Sequence, residues 1–174
     1  MRMRVVLAAA AVVVLAACTK PPLDEQQKTA LADSVEQYVA GPFLATFSPP
    51  NVDAILALYA PGNGVQSVEN GKISANRDSI VQAVRAAYGQ PNVTYQYTLA
   101  APQVTVLSRD AAVYTTMVAV TMKDSAGVET PMRFAWTGVF VRMAGGWKVQ
   151  AEHSSYPPAP APAVAPSNAA RSRR

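Results

Sequence analysis

The sequence predicts an α+β domain, with N-terminal helices covering one face of a strongly curved, mostly antiparallel sheet. Two observations predict it. Up to about residue 88, apolar residues recur with helical spacing and are followed by helix-stopping Gly and Pro. Beyond Pro91 the chain turns to long runs of Val, Thr, Tyr and Phe between short turn signals. Helices first and an antiparallel meander after is the α+β order, in which both layers share one core. A chain of 174 residues, 50% of them hydrophobic, can build one such core with extensions at its ends.

The elements follow in order. Leu31, Val35, Tyr38 and Val39 form the stripe of an amphipathic helix, and Gly41-Pro42 breaks or kinks it. A second short helix fits residues 51–59, with Asn51 as N-cap and Val52, Ile55, Leu56 and Tyr59 on one face. Pro61-Gly62-Asn63-Gly64 ends it. Asn70-Gly71, between residues 65–69 and 72–74, is the strongest short hairpin signal. A third helix over residues 76–88 buries Ile80, Val81, Val84 and Tyr88, and Gly89 stops it. Strands are expected at 93–99, 103–107, 111–122, 128–142 and 147–155, with Gly138 a bulge or bend point.

The two ends differ from the middle. Residues 1–17, MRMRVVLAAAAVVVLAA, carry two arginines and then an apolar run too short to span a bilayer, the anatomy of a secretory signal. Leu15-Ala16-Ala17-Cys18 resembles a bacterial lipobox, which implies cleavage before Cys18 and lipid on its sulfur. Several acyl chains hold a protein on a membrane almost permanently, since each buried CH₂ contributes about 0.8 kcal/mol. Thr19, rather than aspartate, follows the cysteine and favours the outer membrane, facing the periplasm. Residues 18–23 then form a tether, 24–156 the domain, and 157–174 an extended Pro/Ala-rich tail with an Arg end. The net charge of +4 comes from the ends: without Arg2, Arg4, Arg171, Arg173 and Arg174, ten basic residues face eleven acidic ones. A nucleic-acid surface on the domain is therefore not expected.

Other chemistries lack their residues. Cys18 is the only cysteine, so no disulfide and no second thiol exist. No set of His, Cys and carboxylates has metal-ligand spacing, no Gly-x-Ser-x-Gly elbow occurs, and no Gly-rich phosphate loop follows a strand. Neither a metal nor any other cofactor is expected.

The order of pieces carries a resemblance. The helical first half, the Asn70-Gly71 hairpin, the Asn76-Arg77-Asp78 helix start and the Asp110-Ala111-Ala112-Val113 strand start lead to Thr137-Gly138-Val139-Phe140-Val141-Arg142. Gly145-Gly146-Trp147-Lys148-Val149 and His153-Ser154-Ser155 close the series. This order resembles the SnoaL-like branch of the nuclear-transport-factor-two-like superfamily over roughly residues 25–156. The resemblance implies a cystatin-like, cone-shaped roll: a bent sheet wraps a long helix, and a cavity opens between them. Members include isomerases, cyclases, dehydratases and binding or assembly domains, so fold does not set function.

His153 is the single histidine. Strict alternation along the last strand turns Trp147, Val149, Ala151, His153 and Ser155 to one face and Lys148, Gln150, Glu152 and Ser154 to the other. The first set is apolar until its end, which puts His153 on the inner face near the rim. Such a ring more often packs than catalyses. A general base needs an orienting partner, and this alternation leaves no acidic residue on an inward strand position. The expected pocket is lined by Tyr38, Tyr59, Tyr114, Trp136 and His153, rings with polar tips that suit a small apolar ligand. Trp136 shares its strand face with Phe134 and Phe140; turned outward, that face would pair two copies of the chain. The sequence thus leads to a lipid-anchored envelope protein that binds a small hydrophobic ligand or a protein partner without catalysis. An isomerase- or cyclase-type enzyme using His153, and a structural or secretion-apparatus subunit, stay open.

Overall fold

The computed structural model describes residues 21–157; the signal-like segment, Cys18 and the tail from residue 158 onward lie outside the described residues. Helix α1 (Glu25–Tyr38) opens with a capping box: Asp24 Oδ1 accepts from the Gln27 N–H at 2.7 Å, and Gln27 Oε1 accepts from the Asp24 N–H at 3.4 Å. Its expected stripe is the buried one, with Val35 and Val39 at 0% and 1% exposure and Leu31 and Tyr38 packed beside them. Pro42 does not end the helical path. It sits in a π-helical turn, Val39–Phe43, because a proline lacks the N–H that a narrower turn would use. That wider turn carries Phe43 into the core.

Helix α2 (Val52–Ala57) is capped by Asn51, whose side chain accepts from the Ala54 N–H at 2.9 Å, and it buries Ile55 and Leu56. Tyr59 is not on this helix. The chain has already straightened, and Tyr59 bridges in parallel to Val149, with Ala60 N–H donating to the Val149 carbonyl and Val149 N–H to the Leu58 carbonyl, both at 2.8 Å. Strands β1 (Gln66–Glu69) and β2 (Lys72–Ser74) form the expected hairpin, with positive φ of 46° at Asn70 and 82° at Gly71. Helix α3 (Arg77–Tyr88), capped by Asn76, buries Ile80 and Val84 against α2 and Val65.

Strands β3 (Thr94–Ser108), β4 (Ala111–Lys123), β5 (Glu129–Met143) and β6 (Gly146–Ser155) form an antiparallel meander. The two strands expected at 93–99 and 103–107 are one strand, β3, which bends where Ala101 takes a φ of 52° and its register with β4 shifts between Ala100 and Gln103. The sheet order is β2-β1-β6-β5-β4-β3, and β1 pairs with β6 in parallel. The helices pack on the inner face of this curled sheet.

The decisive irregularity lies in β6. Val139 pairs with Ala151 and Phe140 with Val149, so Gln150 is an extra residue in its strand. Its amide instead donates to the Gly64 carbonyl at 2.6 Å. Side chains alternate with a period of two, so one extra residue reverses every face beyond it. Trp147 and Val149 point inward before the bulge; Glu152 and Ser154 line the inner cavity after it. Gly138 is not a bulge, because the β4–β5 register runs through it unbroken. It faces inward opposite Glu152, and a Cβ there would lie 2.8 Å from the Trp136 Cη2. Its missing side chain leaves the room in which the Trp136 indole lies. The Trp136 face is the inner one: Trp136 and Phe140 are 7% and 0% exposed, so that face cannot pair two copies.

Candidate functional site

Between α3, the segment after α1 and the sheet lies a cavity of about 290 Å³. Aromatic rings form much of its wall. Phe43 and Phe47 come from the segment after α1, Tyr88 from α3, Tyr95 and Tyr97 from β3, and Phe134 and Trp136 from β5. The rings meet tilted or edge-on: centroids lie 5.3 Å apart for Phe43–Phe47, 5.4 Å for Phe43–Trp136 and Phe47–Tyr88, and 5.6 Å for Phe47–Tyr97. Rings set at such angles support one another without filling the space between them.

One carboxylate reaches into this wall. Glu152 Oε1 accepts from the Tyr59 hydroxyl at 2.5 Å, and Oε2 accepts from the Trp136 Nε1–H at 3.0 Å. A carboxylate taken from water must find such donors or destabilise the fold. Burial, and then the Glu152 charge, push the Tyr59 hydroxyl well above the usual tyrosine value, with Arg77 opposing. Burial also dominates at Tyr88, and it raises Tyr97 to about 12. The Tyr88 and Tyr97 hydroxyls sit 3.2 Å apart, and the Tyr95 hydroxyl donates to the Ala87 carbonyl at 2.8 Å. Glu69, Ser67 and Tyr156 complete the polar rim.

Of the five expected pocket residues, two line the cavity: Tyr59 and Trp136, the two that hold Glu152. Tyr114 is 1% exposed and packs in the core against Phe140 and Trp136. Tyr38 packs edge-on to Phe43 and Phe140, outside the cavity lining. His153 corrects the expectation most sharply. The Gln150 bulge turns it to the outer face, where it is exposed beside Thr137 and Val68. The inward acid that alternation denied is present as Glu152, for the same reason. Tyr95 and Tyr97 were signalled by their own alternation in β3, and Tyr88 by its place on the buried stripe of α3. Among the described residues no three His, Cys, Asp or Glu side chains gather to hold a metal ion.

A sequence profile of the SnoaL-like domain matches residues 35–160. The chain belongs to the SnoaL-like family. Solved structures of similar fold include an NTF2-like family protein from Streptomyces avermitilis, at 18% identity and a TM-score of 0.64 over 75% of this chain and 99% of that one. A ketosteroid isomerase-like protein from Erwinia carotovora atroseptica shares 19% identity at a TM-score of 0.57, over 74% and 97% of the two chains. An NTF2-like superfamily protein from Salmonella enterica serovar Typhimurium gives 14% and 0.61, over 80% and 97%. These likenesses establish the NTF2-like cone as the fold of this SnoaL-like domain. No curated protein matches it by sequence.

Two predictions follow from this geometry. Gly138→Ala places a methyl against the Trp136 ring, and overpacking of this kind costs about 1–3 kcal/mol. Urea unfolding checks the loss, and a shifted Trp136 emission reports the displaced indole; unchanged stability and emission would contradict the packing described. The second concerns alkaline pH. The folded-state values of Tyr59, Tyr88 and Tyr97 lie above the ordinary tyrosine value of about 10. Above that pH the unfolded chain loses protons that the folded chain keeps, so stability is flat below it and falls as pH rises toward 12. Tyrosinate absorbance on titration of the folded protein should show these three ionising late.

Proposed function

We propose that this SnoaL-like protein is held on the cell envelope by lipid on Cys18, at the periplasmic face of the outer membrane, and that its cone binds a small apolar, ring-bearing ligand. The observation that carries the ligand reading is the cavity of about 290 Å³, walled by aromatic and aliphatic side chains with the hydrogen-bonded Glu152 carboxylate set into it. Concave, mostly apolar space with a few convergent polar groups is what small-molecule sites share. The cavity supports binding over a purely structural or secretion-apparatus role, for which the space has no use. The anchor reading rests on the lipobox-like Leu15-Ala16-Ala17-Cys18. Arg109 Nη2 donates to the Pro21 carbonyl at 3.3 Å and to Gln27 Oε1 at 3.4 Å, so Pro21 lies against the turn between β3 and β4. Three residues span at most about 10 Å, and this end of the domain then rests beside the membrane.

A second reading is proton-transfer catalysis of the isomerase or cyclase class, favoured by Glu152. A carboxylate in an apolar cavity can take a proton from a bound ligand, and a neighbouring hydroxyl can steady the charge that results. In either reading His153 stands outside the site. A homodimer suits the outer face of the sheet, where Val113, Thr115, Met117, Ala135, Thr137 and Val139 present an uncharged surface and Met117 is 40% exposed.

Native mass spectrometry of the full chain, extracted from membranes in mild detergent, tests these readings together. The expected spectrum carries acyl mass on Cys18, one small apolar molecule per chain and twice the chain mass. Ala83→Trp, at an exposed helix position on the cavity lining, should lose that molecule; a bare wild-type chain would count against ligand binding. An enzyme would return its bound molecule chemically changed, and a carrier unchanged. Cys18→Ser should release the protein from membranes and abolish palmitate labelling, and a mutant that stays membrane-bound overturns the anchor.

A further inference from the structure

The cavity has an uneven chemistry. Its lining holds two carboxylates, Glu69 and Glu152, and no Lys, Arg or His. Arg77, the cation near enough to act on Tyr59, donates to the Leu56 carbonyl at 2.7 Å and is not part of the lining. Nothing in the wall therefore balances the charge of the Glu152 carboxylate.

The hydrogen-bonding groups are uneven in the same sense. The Tyr59 O–H and Trp136 N–H are both engaged by Glu152, and the Tyr95 O–H by the Ala87 carbonyl. Of the Tyr88 and Tyr97 hydroxyls, one donates to the other. The aromatic wall thus has most of its donors engaged already, and the hydroxyls left are one of the Tyr88–Tyr97 pair and those of Ser67 and Ser154. What it still offers is acceptor capacity. Each Glu152 oxygen has taken one hydrogen bond and can take another, and the phenol oxygens are acceptors as well. The remaining surface is shared between aliphatic side chains and aromatic rings, and the negative π-face of a ring attracts a cation held within about 6 Å.

We propose that the ligand of this cavity is a hydrophobic organic cation: an apolar, ring-bearing amine protonated at neutral pH, its ammonium directed at Glu152 and its body among Phe47, Tyr88 and Tyr97. This rests on the reading of the cavity as a ligand site and names the class of ligand. The ammonium brings charged donors and a positive charge that no residue of the lining supplies. A charge-assisted hydrogen bond in a site away from water is about twice as strong as a neutral one. An anionic ligand meets the opposite: carboxylates of its own sign and, as donors, neutral hydroxyls alone.

The test uses the full chain and three compounds of one shape: naphthylmethylamine, naphthylmethanol and naphthoate. Calorimetry at neutral pH and low salt reads their affinities. The amine should bind at least tenfold more tightly than the alcohol, and naphthoate should not bind measurably. Glu152→Gln should abolish most of the tenfold preference. The wild-type series decides the matter even where that variant is unstable. An alcohol that binds as well as the amine, or a naphthoate that binds best, overturns the cation proposal while leaving the cavity a ligand site. Failure of all three to bind overturns both. A preference that survives unchanged in a folded Glu152→Gln protein also overturns the proposal, because the discrimination would then lie elsewhere.

Discussion

One extra residue in β6 organises the site. On one side of Gln150, Val149 gives its N–H and carbonyl to the extended segment at Leu58 and Ala60; on the other, Ala151 begins the parallel pairing with β1. The strand thus serves two different neighbours along the same edge. The bulge falls where it passes from one to the other, and Gln150 ties itself to Gly64 in the connection between them. A reversal of faces at that point lets an apolar core end with Val149 and the polar groups of the cavity begin with Glu152, Ser154 and Tyr156.

The carboxylate then shapes its surroundings. An inward glutamate needs donors, and they arrive from two distant parts of the chain, Tyr59 after α2 and Trp136 in β5. The indole reaches it because the residue directly opposite Glu152 is Gly138. The net gain of each hydrogen bond is about 1 kcal/mol, but leaving the acid unpaired would cost more than that gain. Glu152, Tyr59, Trp136 and Gly138 are therefore best regarded as one unit. Around it, rings meeting edge-on hold the wall apart while the α1 side of the cone closes over Tyr114 and Phe140.

Local chemistry was legible wherever a single element decides it. The caps at Asp24, Asn51 and Asn76 were sites where a side chain satisfies helix N–H groups a few residues away, and two of these were read directly as helix starts. The Asn70-Gly71 turn needed only its own positive φ values. The stripe through Val35 and Val39 precedes Pro42 and needed only the periodicity of α1. Tyr59, by contrast, fitted the face of α2 by spacing alone, and its pairing with Val149, 90 residues away, straightened it. The pocket list failed in the same way: Tyr38 and Tyr114 have the right character, but the direction each ring takes is set by neighbours remote in sequence.

By itself the sequence determined the α+β order, the hairpin, the buried stripes of α1 and α3 and the kinship with SnoaL-like domains, because periodicity and capping are properties of contiguous residues. Only the tertiary structure decided that β1 joins β6 in parallel, that β6 carries a bulge at Gln150, and that Glu152 rather than His153 faces the cavity. Parity along a strand is a sum over every residue in it. A bulge forced by neighbours far away in the chain leaves no mark on local pattern, yet it reverses the meaning of each residue beyond it.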